Sequence, residues 1–150
     1  MIELNFSKWH RWVNRNRIAN INYPGVYAIA ISKNKEHHDF SWDEIIYIGM
    51  TNSGNGLKGR LQQFDDVIKS GEGTHGGASR VYFKYRKYEL LEPDLYVAIQ
   101  PIKCDVKSNK PDDLRKMGDV AKLEYDCLAD FVELHGHLPE FNDKKRSPKK

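Results

Sequence analysis

Cysteine is scarce in this 150-residue chain: Cys104 and Cys127 stand alone, with no CxxC pair and no matching histidine pattern. A disulfide scaffold and a structural zinc site are both excluded on that count, and two reduced thiols fit a cytoplasmic protein. Long hydrophobic runs are absent too. Val26–Ile31 and Leu95–Ile99 are short of the ~20 apolar residues that span a bilayer. The opening Met1-Ile2-Glu3-Leu4-Asn5 has an acid where a secretory leader needs basic residues, and no apolar core follows it. The length suits one domain over residues 1–143 and leaves little room for two.

Charge of one sign is lacking in the body of the chain. The net charge is +3, but residues 144–150 (KKRSPKK) hold five of the 24 cations and no acid, leaving 19 cations against 21 acids. The excess lies in a basic tail, expected to be disordered, which suits either attraction to phosphate backbones or simple solubility. A second basic cluster, Lys8, Arg11, Arg15 and Arg17, is interleaved with Trp9, His10 and Trp12. The tryptophans read as core residues of an amphipathic helix over about Ser7–Asn16, capped by Ser7.

Hydrophobic periodicity supplies the remaining elements. Residues 26–31 read as a buried strand and 45–49 as a second, antiparallel to the first because the polar segment 33–43 between them lacks a helix. Leu57, Leu61, Phe64 and Ile68 recur at helical spacing, predicting a helix over 57–69. A glycine-rich loop over 70–77 follows, then strands over 80–87 and 95–102, the first by alternation. In that first strand Tyr82, Tyr85 and Tyr88, with Lys84, Arg86 and Lys87, read as a stacking strip or as a solvated strand face. Pro111, followed by Asp112 and Asp113, predicts the start of a long helix ending before Gly136. The fold class is α+β: a small, mainly antiparallel central sheet flanked by helices. His37-His38 and His135-Gly136-His137 lack the acids or cysteines that would complete a metal site.

Within the long helix, Met117, Ala121, Leu128, Phe131 and His135 form one stripe with Glu124 in its middle. A carboxylate facing the protein body needs a cation, a metal or a proton, since burying it unpaired costs several kcal/mol. A structural salt bridge would meet that need as well as a metal would.

Gly25-Val26-Tyr27 on the first strand and Tyr47-Ile48-Gly49 on the second resemble the two name-giving motifs of the GIY-YIG nuclease superfamily. Arg60, Glu124 and Asn142 follow in the order in which that family places its remaining signature residues. Gly73-Thr74-His75-Gly76-Gly77 resembles the histidine-bearing loop of one branch. The spacing of 20 between Tyr27 and Tyr47 marks an insertion. Phe64 stands where several relatives have tyrosine or histidine, and Met50 where some have lysine.

The resemblance implies a metal-dependent endonuclease acting on nucleic acid, with DNA the commoner substrate in the family and RNA the alternative; cutting both strands would favour a homodimer. It assigns Glu124 to one Mg²⁺, with Mn²⁺ an alternative, Arg60 to the scissile phosphate, and Tyr27 to the general base. Tyr47 and His75 would relay protons or orient water, and Asn142 would tie the closing segment to the site. The rival expectation is a nucleic-acid-binding module that keeps the scaffold without cutting, as the loss of groups at Phe64 and Met50 would allow.

Overall fold

A computed structural model describes residues 2–143; the basic tail at 144–150 lies outside the described residues. Four antiparallel strands form one sheet in the order β1-β4-β2-β3: β1 His10–Arg11, β2 Gly25–Ile31, β3 Ile45–Thr51 and β4 Leu95–Pro101. Four helices accompany them: α1 Gly56–Ser70, α2 Gly76–Tyr85, the single turn α3 Tyr88–Leu91, and α4 Pro111–His135. The expected α+β architecture is therefore present. Among the described residues no helix is long and apolar enough to cross a membrane.

Alternation along the strands gives the sheet two apolar faces. Tyr27, Ile29, Val97 and Ile99 point to one face, where α1, α2 and Phe141 cover them. Val26, Ala28, Ala30, Ile48 and Ala98 point to the other, where Val120, Leu123, Cys127 and Phe131 of α4 close a second core. A bulge in β3 opposite the step from Ile29 to Ala30 breaks the alternation, so that consecutive Ile46 and Tyr47 both turn to the α1 face while Ile45 packs on the other.

Two expected elements are corrected. The N-terminal segment is not a helix: it runs along the outer edge of β4, with Ser7 N–H donating to Ile99 O at 2.8 Å and Ser7 Oγ accepting from Ile99 N–H at 3.0 Å. A 3-10 turn over Trp12–Arg17 follows. Both tryptophans are fully buried as expected, but on opposite sides of the sheet, since the chain is extended between Trp9 and the turn. Residues 80–87 form no strand either. They belong to α2 and the turn after it, because Gly77, Ala78 and Val81 present a helical stripe to the core and His75 caps the start. Tyr82, Tyr85 and Tyr88 accordingly lie on helical turns and not on a strand face.

The long helix starts and stops as its sequence predicts, with Pro111 in the first turn and Gly136 in the left-handed conformation at φ 79°. Its buried stripe is Val120, Leu123, Cys127 and Phe131, so Met117, Ala121, Glu124, Leu128 and His135 form a half-exposed flank and not the centre. Segment 33–43 is a packed cover: Phe40 stacks on Phe6 at 4.1 Å between ring centres and on Trp9 at 5.5 Å, and Lys35 is buried with Nζ on Asp43 O at 3.0 Å.

Asp65, 1% exposed, fastens the N-terminal turn to α1. Its Oδ1 accepts from Trp12 Nε1–H and from Tyr88 O–H, both at 2.7 Å, while Oδ2 meets Arg15 at 3.3 Å and Lys69 at 2.9 Å. Burial alone would raise the Asp65 pKa, but these donors outweigh it and hold the carboxyl below its ordinary range. Arg15, itself 8% exposed, would be left uncompensated without it. Asp65→Ala is expected to cost about 3–5 kcal/mol in urea unfolding, with the slope against urea unchanged. A loss under about 1 kcal/mol would show that this network does not hold the turn in place.

Candidate functional site

The register of the sheet places the two tyrosine motifs face to face. Gly25 pairs with Thr51, Tyr27 with Gly49, and Ile29 with Tyr47. Tyr27 and Tyr47 are thus diagonal neighbours on one face, with ring centres 6.1 Å apart. A side chain on Gly49 would overlap the Tyr27 phenol, and one on Gly77 would overlap the Tyr47 ring. Each glycine makes room for an aromatic ring of the site.

His75 closes the pair from above. Its ring, carried by the glycine-rich loop, is 1% exposed. It packs edge-on against Phe64 at 5.0 Å and against Tyr47 at 5.5 Å. Its Nδ1 accepts the Ala78 N–H at 3.2 Å, capping α2. That bond assigns the ring proton to Nε2, which stands 2.8 Å from the Tyr27 hydroxyl oxygen and donates to it. Burial, followed by the nearby Arg60 and Arg80 guanidinium groups, pushes the His75 pKa down to about 3, so the imidazole is neutral at physiological pH.

Arg60 lies one turn into α1 on the same face. Its Nη1–H donates to Gln63 Oε1 at 2.7 Å, while its Nε–H is buried without a partner among the described residues. Glu124 reaches the same place from the opposite face of the sheet. It can do so because β3 is an edge strand and α4 packs across it. The electrostatics place these groups together: Arg60 and Glu124 both act on Tyr27 and on Tyr47, and Arg60 acts on Glu124. Burial raises both tyrosine pKa values, most strongly for the fully buried Tyr27, and Arg60 pulls both back. Tyr47, only half-buried, is also lowered by Arg80 and by the Tyr27 hydroxyl.

Asn142 stands behind this group. Its Oδ1 accepts from Ile48 N–H at 2.9 Å and its Nδ2–H donates to Ile48 O at 2.8 Å. One side-chain amide thus completes the outer edge of β3 next to Tyr47, as a further strand would. Tyr27, Tyr47, Arg60, His75 and Glu124 therefore converge, with Asn142 bracing them. Arg80 also belongs to this neighbourhood, and the expected strand over 80–87 concealed it; the spacing of Ala78, Val81, Tyr82 and Tyr85 was the helical signal available.

Among the described residues Glu124 makes no hydrogen bond or ion pair, and burial raises its carboxyl pKa with Arg60 pulling against it. That is the condition of an oxygen donor suited to a cation. No group of three or more His, Cys, Asp or Glu among the described residues could form a cage. A cation here would rest on one carboxylate and fill its shell with water and ligand oxygens, a habit of Mg²⁺.

Comparison with family models, with curated proteins and with solved structures gives no match to this chain.

The His75 geometry fixes a pH dependence. A histidine held at about 3 when folded and near 6.5 when unfolded binds more protons in the unfolded state between those values. Its contribution to stability is complete above about pH 6.5 and falls as the pH drops toward 3. His75→Asn keeps an oxygen to cap α2 but removes the titration. Between pH 7 and 5 the wild-type stability in urea should fall by about 1–2 kcal/mol more than that of the variant. Parallel pH curves would contradict a buried neutral imidazole.

Proposed function

We propose that this chain is a cytoplasmic, metal-dependent endonuclease of GIY-YIG type that hydrolyses phosphodiester bonds in DNA. The observation that carries the proposal is the convergence of Tyr27, Tyr47, Arg60, His75 and Glu124, drawn from both faces of the sheet, at the edge strand β3. A structural salt bridge does not explain Glu124, since its carboxylate forms no ion pair among the described residues.

Phosphodiester hydrolysis needs a deprotonated water, compensation of the phosphate charge and relief for the departing 3′ oxygen. Arg60 suits the second need with the planar fork of its guanidinium. Tyr27 was the expected base, yet its ring is fully buried and its oxygen is engaged by His75. Tyr47 is the tyrosine that reaches the surface of the site. As a phenolate, Tyr47 takes the proton of the attacking water; the hydroxide forms the new P–O bond as the bond to the 3′ oxygen breaks. Tyr27, held in position by the His75 N–H, supports that phenolate from behind. A divalent cation held by Glu124 would supply Lewis-acid stabilisation of the phosphate and leaving group.

The test uses supercoiled plasmid with Mg²⁺. Glu124→Gln is expected to abolish nicking, as chelator does. Tyr47→Phe should lower the rate by 10²–10⁴-fold and flatten its rise with pH. That rise is about tenfold per unit in the wild type, because the phenolate fraction grows below the raised Tyr47 pKa. Tyr27→Phe should slow the reaction while leaving the rise intact. Tight, Mg²⁺-independent binding without cutting by the intact protein would instead identify a binding module.

A further inference from the structure

Gln62 and Gln63 are adjacent on α1, and each accepts from an arginine through its side-chain oxygen. Gln62 Oε1 takes Arg15 Nη2–H at 3.1 Å, beside the Asp65 network that fastens the N-terminal turn. Gln63 Oε1 takes Arg60 Nη1–H at 2.7 Å, from one turn back along the same helix. An arginine has only donors, so the Gln63 amide presents its oxygen to Arg60 and its nitrogen the other way. There Nε2–H donates to Thr74 Oγ1 at 2.9 Å. Thr74 directly precedes His75, whose ring nitrogens are both engaged, at Ala78 and at Tyr27. Gln63 therefore ties the Arg60 guanidinium to a loop that His75 anchors.

A carboxylate three residues after Arg60 could hold the fork equally well, but it would offset the charge that a phosphate needs. The neutral amide holds the guanidinium and leaves its full charge to act on Tyr27, Tyr47 and Glu124. Holding it matters as well. Arginine is among the side chains with most rotamer freedom, and that freedom is lost either on folding or at the moment a phosphate binds. Bracing from Thr74 moves the loss to folding, so the fork is preset in the geometry the reaction requires. Gln63 is half-buried and Thr74 exposed, so burial does not demand that either be paired.

We propose that Gln63 is a positioning residue for the phosphate contact: braced by Thr74, it aims Arg60 at the scissile phosphate without neutralising it. This inference rests on the nuclease reading of Arg60 and deepens it.

The experiment has two readouts on the full-length protein, one of which needs no DNA. In ¹⁵N NMR spectra the Arg60 Nη signals are assigned by their loss in Arg60→Lys. The wild type is expected to show Nη1 and Nη2 apart, because a held guanidinium turns slowly about its Nε–Cζ bond. Gln63→Met should merge the two signals, and Gln62→Met, which frees only Arg15, should leave them apart. In plasmid nicking with Mg²⁺, Gln63→Met should lower kcat about 10- to 100-fold with KM within about twofold, the split expected when a contact is lost from the transition state alone. Gln63→Glu, which holds the fork but offsets its charge, should keep the signals apart and raise KM as well. Thr74→Val should give part of the Gln63→Met loss, and Thr74→Ser, which keeps the hydroxyl, should match the wild type. Wild-type kcat in Gln63→Met, or merged Arg60 signals in the wild type, would overturn the role of Gln63. Signals that merge only in Gln63→Met, in a protein that does not cut DNA, would overturn the nuclease reading and leave the bracing of Arg60 standing.

Discussion

The hydrogen bond between His75 and Tyr27 is the contact on which the rest of the site depends. It joins a loop histidine to the central strand across 48 residues of chain, wholly out of solvent. The other ring nitrogen is spent on the first turn of α2, so one neutral imidazole both starts a helix and fixes that helix to the sheet. Where α2 begins decides where Arg80 can stand, and the ring itself forms a wall for Tyr47. An imidazolium could not do this: protonated Nδ1 would meet the Ala78 N–H donor to donor. The low His75 pKa is therefore a structural requirement before it has any bearing on chemistry.

Topology explains why the groups meet at an edge. Arg60 rides on a helix covering one face of the sheet and Glu124 on a helix covering the other. Side chains from opposite faces cannot meet through a sheet; they can meet around its rim. β3 supplies that rim, and its exposed backbone would ordinarily invite another strand. The Asn142 amide satisfies Ile48 on both its N–H and its C=O, while Phe141 is buried in the core and Lys84 pairs with Glu140 at 2.6 Å. The closing segment thus occupies the edge at Ile48, next to Tyr47.

Much of this was legible in the chain. The strands around Tyr27 and Tyr47, the helices begun at Leu57 and Pro111, and the stop at Gly136 follow from local chemistry: apolar runs, helical spacing, a proline in a first turn and a glycine past a last one. Local rules failed where tertiary context decided between alternatives. Val81-Tyr82-Phe83 has the propensity of a strand, yet the histidine cap and the small Gly77 and Ala78 beneath a packed sheet make a helix the better burial. Trp9 and Trp12 fit the spacing of one helical face, but each ring had a separate core to fill. The role of Asn142 was legible only as a tether, because no spacing along the chain reveals which backbone a side-chain amide will meet.

Phe64 shows how far a role can be separated from a position. One helical turn after Arg60, it is fully buried between Trp12, Tyr47 and His75, with ring centres 5.0–5.8 Å away. A titratable group there would have to be desolvated among aromatic rings, with little room to be hydrated or to turn. The imidazole that contacts Phe64 arrives instead from the loop before α2, eleven residues later in the chain, and occupies the space next to Tyr27. The apolar ring then has its own function: it holds the plane of His75 at 82° to itself and so aims Nε2 at the phenol. Absence of a proton carrier at position 64 thus says little about the chemistry of the site, because the nitrogen has come from another segment and Phe64 fixes its direction.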